Sequence, residues 1–155
     1  MSSKEVWFSI DVETNGSCPG LRSLVSIGAT VIDYGNIELL TRDGVVHSRP
    51  QFYAEIKPHC GSVDPEAQAV HKLTPEHLEE YGQDAYRAVN AFVAWVKGTA
   101  GKARPVFCSW GTFDWMWMGW YLERYGKRYT YPFGPNSLDL KSLYLGLTKG
   151  GGWRA

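Results

Sequence analysis

The chain has 155 residues, 44% of them hydrophobic, enough for one globular domain that buries about two thirds of its unfolded surface. Sixteen basic and sixteen acidic residues cancel, so the global basic field of many duplex-binding proteins is absent. Three cysteines, Cys18, Cys60 and Cys108, form no CxxC pair and leave one unmatched, which argues against both a zinc knuckle and a disulfide framework.

Val6-Trp7-Phe8-Ser9-Ile10 is rich in β-branched and aromatic residues and reads as a strand, closed by the turn signal Asn15-Gly16. At its end stand Asp11 and Glu13. Side chains alternate faces along a strand, so these two project to one side, about 7 Å apart at their Cα atoms, with Val12 turned the other way. At about 4 Å and an effective dielectric near 20, like charges repel by about 4 kcal/mol, a repulsion that a divalent cation turns into attraction. Oxygen-only ligands suit a hard ion such as Mg²⁺ or Mn²⁺.

Farther along, Thr74-Pro75-Glu76 has the cap, the N1 proline and the first-turn acid of a helix start, with Gly82 as its stop. Tyr86, Val89, Phe92, Val93 and Val96 mark an amphipathic helix that Gly98 is expected to end. Arg104 to Gly111 reads as a short buried strand, and Thr112, read as an N-cap, opens a helix with Asp114 in its first turn. That helix is unusually aromatic. Phe113, Trp117, Trp120 and Tyr121 share one face, which serves the core, while other rings of the set are candidates for stacking on bases. Arg124, Lys127 and Arg128 follow at its end, where the dipole favours cations. Asp139 opens a last helix with Leu140, Leu143, Tyr144 and Leu147 on one face, and reads as a first-turn acid. Lys149-Gly-Gly-Gly-Trp-Arg-Ala155 reads as a glycine turn and the opening of another element.

Asp-x-Glu on a first strand, followed by an acid on a Phe-Asp helix, resembles the first two motifs of the DEDD superfamily of 3′-to-5′ exonucleases. The chain is most similar to the group holding ribonuclease T, oligoribonuclease and the proofreading subunit of bacterial DNA polymerase III. Leu24–Asp33 and Gln51–Pro58 are similar to that family's second and third strands, and Asp64–Glu76 to the loop after them. The resemblance implies an α/β, ribonuclease-H-like fold with a mixed central sheet flanked by helices. It further implies hydrolysis of terminal phosphodiester bonds of single-stranded RNA or DNA, from the 3′ end, with two Mg²⁺ or Mn²⁺ ions. Asp11, Glu13 and Asp114 would be the catalytic and metal-binding residues. Thr14, Asn15 and Gly16 would lie beside the terminal nucleotide, with His71 and Phe113 as further nucleotide contacts. A homodimer is compatible with the family pattern.

One motif does not match. The family places a fourth carboxylate on a C-terminal helix, with a His or Tyr general base one turn before it. After Asp114 the acids are Glu123 and Asp139, neither with a His five or a Tyr four residues ahead, and no His follows His77. His59 and Asp64 have the missing spacing but precede the second motif, in a glycine-containing loop. The expectation is therefore one exonuclease-like domain over residues 1–155, truncated before its last helix and slow or inactive as it stands. The alternative is a non-catalytic nucleic-acid-binding or interaction module of the same fold. The N-terminal residues run into the first strand without a signal-peptide core, and no apolar run could span a bilayer, so a cytoplasmic location without membrane partners is expected.

Overall fold

The structure, a computed structural model, describes residues 4–33, 49–127 and 131–148. Arg128 and the glycine-rich tail from Lys149 to Ala155 lie outside the described residues. The elements run β1 (Glu5–Thr14), β2 (Leu24–Asp33), β3 (Gln51–Glu55), α1 (Pro65–His71), α2 (Pro75–Tyr81), α3 (Ala85–Ala100), β4 (Arg104–Ser109), α4 (Phe113–Tyr125), β5 (Ser137–Asp139) and α5 (Leu140–Thr148).

They build a mixed sheet in the order β3-β2-β1-β4-β5. The first three strands form an antiparallel meander, and β4 and β5 run parallel to β1 and to each other. Period-2 alternation puts Val6, Phe8, Ile10 and Val12 on the buried face of β1 and leaves Ser9, Asp11 and Glu13 on the other. Onto the buried face pack Ala88, Val89, Phe92 and Val96 of α3, with Trp117, Met118 and Tyr121 of α4. Each large side chain buried there contributes about 1.5–3 kcal/mol. Phe133 completes the core, its ring edge-on to Phe107 at 5.3 Å and to Phe8 at 6.0 Å.

Several sequence expectations shift in detail. The third strand ends at Glu55, because Ile56 bridges Gln83 and Lys57 N–H donates to the Gln83 carbonyl. Asp64 to Glu76, expected as a loop, holds the short helix α1, capped by the Asp64 carboxylate on Glu66 N–H. Gly98 does not stop α3, which runs on to Ala100 and ends at Gly101 with φ of 57°. Thr112 precedes α4 but makes no side-chain cap bond. Strand β5 has no counterpart in the sequence reading, and the apolar face of α5 stays open, with Leu147 73% exposed.

Candidate active site

The parallel strands β1 and β4 part company after Ser9 pairs with Cys108, while β1 continues beside β2 to Thr14. Crevices at the carboxyl ends of parallel strands are where open α/β sheets bind ligands. The split leaves the Val12 N–H without a strand partner on the β4 side. Asp114, in the first turn of α4, fills the gap: its Oδ1 accepts that N–H at 3.0 Å, fully inside the protein. The second sequence motif is thus tied directly to the backbone of the first.

Asp11, Glu13 and Asp114 are brought into electrostatic contact. Burial raises all three carboxyls above the usual carboxylate range. Glu13 is raised further by the charges of both Asp11 and Asp114, and Asp114 by that of Asp11, against the Val12 N–H, which favours its ionised form. The three do not close on a point: among the described residues no three acidic, imidazole or thiol groups converge closely enough to hold an ion by themselves. Opposite Asp11 the strand partner is Gly28, and this missing side chain opens a groove of about 520 Å³ past Thr30 and Gln51 to Tyr53.

The turn after β1 is tightly held. Thr14 is buried, its hydroxyl donating to the Gly16 carbonyl at 2.7 Å. Asn15 donates its N–H to the Ser23 carbonyl and accepts the Asp64 N–H, while its own Nδ2 is buried without a partner among the described residues. His71 ends α1, which packs against β1. Its Nδ1 accepts the Leu73 N–H at 3.0 Å, which leaves the proton on Nε2, again buried and without a partner among the described residues; burial lowers its pKa and keeps the ring neutral. Phe113 opens α4 with its ring 42% exposed beside Asp114 in sequence.

Two other candidates are occupied elsewhere. Asp139, rather than a helical first-turn acid, closes β5 and caps α5: Oδ1 accepts the N–H groups of Gly111 and Lys141 and Oδ2 accepts the Ser142 hydroxyl, whose bond does most to hold the carboxyl below its ordinary value. His59 stacks on Trp120, and its Nδ1 accepts the Tyr121 hydroxyl at 3.0 Å, while the Tyr121 oxygen accepts the Leu24 N–H at 2.8 Å. With Asp64 capping α1, the His59/Asp64 pair is structural. Burial pushes the Cys108 thiol up to about 11, so it stays protonated and is no nucleophile. Sequence reading passed over the Tyr121–His59 clamp because its members lie 62 residues apart.

Among proteins of known activity, the chain is 32% identical over 156 residues to the 3′-5′ DNA exonuclease Cap18 of Escherichia coli, spanning 99% of this chain and 74% of that protein. The chain belongs to the DEDD superfamily of 3′-to-5′ exonucleases. No protein-family model matches it. In fold it is similar to the nuclease domain of 3′hExo, a DEDDh family member solved with rAMP bound, with a TM-score of 0.69 at 12% identity, over 97% of this chain and 74% of that one. Product-bound exonuclease I superposes with a TM-score of 0.66 at 16% identity, over 94% of this chain. The chain spans about a third of exonuclease I, 32% of its length. These likenesses make the fold a ribonuclease-H-like exonuclease fold. Among the described residues no helix is long and apolar enough to cross a membrane.

Proposed function

We propose that this exonuclease-family chain takes the 3′ end of a single-stranded nucleic acid, DNA by preference, and that Asp11, Glu13 and Asp114 hold two divalent ions, Mg²⁺ or Mn²⁺, against its terminal phosphodiester. The observation that carries this reading is the placement of three acids at the carboxyl end of β1, where Asp11 and Glu13 share the face away from the core and Asp114 Oδ1 accepts the N–H of Val12 between them at 3.0 Å. The preference for DNA rests on the name of the Cap18 relative. Bound there, the ions would polarise the phosphoryl oxygens, acidify a water and steady the leaving oxygen.

The chain's own residues supply the rest. Asp114 is oriented by the Val12 N–H, and Asp11 faces the groove over Gly28. Asn15 Nδ2 and His71 Nε2 are buried donors without partners, and unmet donors near a site for a polyanion support roles for both as nucleotide contacts, alongside Thr14, Gly16 and the exposed ring of Phe113. No residue after Asp114 offers an imidazole, and Asp139 is committed to capping. A general base typically contributes 10² to 10⁴-fold, roughly, so the 155 residues are expected to bind a 3′ end and to hydrolyse it slowly.

The test uses 5′-labelled DNA and RNA oligomers with Mn²⁺, binding followed by fluorescence anisotropy and products on a sequencing gel. Mn²⁺-dependent binding, slow shortening from the 3′ end and loss of both in Asp11→Ala support the reading. A ladder that survives Asp11→Ala refutes the site assignment, and binding without any shortening favours the non-catalytic module.

A further inference from the structure

The loop between β1 and β2 carries a cation that none of the site chemistry so far uses. Arg22 lies across the turn from Gly16, its aliphatic stem so close that a Cβ on Gly16 would stand 2.7 Å from Arg22 Cγ and 3.1 Å from Nε. Gly16 also has a φ of 153°, outside the range comfortable for a side chain. Both facts fit a turn shaped to seat this stem. The residue is half-buried, and among the described residues no carboxylate pairs with its guanidinium.

The loop that presents Arg22 is held by hydrogen bonds. Arg22 N–H donates to the Cys18 carbonyl at 3.0 Å, and Asn15 and Ser23 close the base of the loop. Gly20, with φ of 86°, lies beside the Trp120 indole, which a Cβ there would meet at 3.4 Å, and its carbonyl faces His59 Nε2 at 3.4 Å. Ser23 Oγ accepts the Cys60 N–H at 3.2 Å. A guanidinium with no carboxylate partner among the described residues, on a loop held by hydrogen bonds, is suited to an anion, and its planar fork of donors matches a phosphate bidentately.

We propose that Arg22 binds a backbone phosphate of the nucleic-acid strand whose end enters the Asp11–Glu13–Asp114 site. This rests on the function proposed above. Gly16 lies three residues beyond Glu13, in the turn that follows β1, and the contact is assigned to a phosphate next to the scissile one rather than to the scissile one itself. It positions the strand without reading its sequence.

The experiment measures anisotropy of a 5′-labelled oligothymidylate, its 3′ linkages phosphorothioate to resist cleavage, on the full chain in Mn²⁺ between about 50 and 200 mM salt. Each phosphate contact on a single strand contributes about 0.7 to the slope of log affinity against log salt. Arg22→Gln should weaken binding at least about tenfold at low salt and flatten the slope by about 0.7. Arg22→Lys should restore the slope, and Arg104→Gln, at the far end of β1 beside Glu5, should leave it unchanged. Arg22→Met keeps the stem on Gly16 and gives the same readout should Gln disturb the loop. A slope equal to wild type in both Arg22→Gln and Arg22→Met overturns the phosphate contact alone. A wild-type chain that does not bind the oligomer at all overturns the proposed function, and the contact with it.

Discussion

Asp114 is the residue whose two roles can be pulled apart. Its carboxylate is 6% exposed and accepts the Val12 N–H at 3.0 Å, and it is one of three mutually repelling acids. Asp114→Ala removes the acceptor and leaves a buried N–H unpaired, a loss of about 1–3 kcal/mol. For a domain of this size that lowers the melting temperature by about 2–12 °C. Asp114→Asn keeps an oxygen in place for Val12 while removing a charge that burial and Asp11 both disfavour, so it should melt at or above wild type in EDTA. Mn²⁺ at about 100 times its dissociation constant should stabilise wild type by about 2.7 kcal/mol, or about 5–11 °C. Asp114→Asn should lose most of that gain. Circular dichroism melts of the three proteins, with EDTA and with Mn²⁺, decide it. Equal melting of Ala and Asn in EDTA refutes a structural role for the Val12 bond, and full Mn²⁺ stabilisation of Asp114→Asn removes Asp114 from the metal site.

Two further outcomes follow from the same geometry. The raised carboxyls mean that the metal-free folded state binds more protons than the unfolded one from the ordinary values, 3.8 for Asp and 4.5 for Glu, up to the raised ones; through that window their contribution to stability falls as pH rises. Urea titrations across pH in EDTA should show this slope shrink in Glu13→Gln relative to wild type, and in wild type it should reverse sign with saturating Mn²⁺, which favours the ionised carboxylates; identical slopes for the two proteins count against the coupling. Tyr121→Phe strands the buried Leu24 N–H and frees His59, costing about 1–3 kcal/mol, with faster amide hydrogen exchange at Leu24; unchanged stability and exchange would show that water replaces the hydroxyl.

Legibility in the sequence tracks the range of the interactions. Leu24–Asp33, read through its likeness to the family's second strand, has the bounds of β2. Helix α1 was hidden although Asp64-Pro65-Glu66 repeats the start signal of Thr74-Pro75-Glu76, since none of its seven residues is buried and no apolar period betrays it. Strand β5, three residues long, is too short for alternation to register and exists through its pairing with β4. Gly98 looked like a stop, but nothing lies within 4 Å of it on the outer side of α3, where a glycine costs only about 1 kcal/mol and the helix continues.

The site divides the same way. Asp11 and Glu13 share a face by the period of a strand, which composition and spacing convey. Asp114 was found through family likeness, but its bond to Val12 depends on where β4 leaves β1, a property of two strands almost a hundred residues apart. Arg22 carries no motif at all. It becomes informative only when the fold sets its stem on Gly16 and, among the described residues, pairs no carboxylate with it. On a loop held by Trp120, His59 and Ser23 the proposed phosphate would be its counter-charge, as the proposed cations would be for Asp11, Glu13 and Asp114.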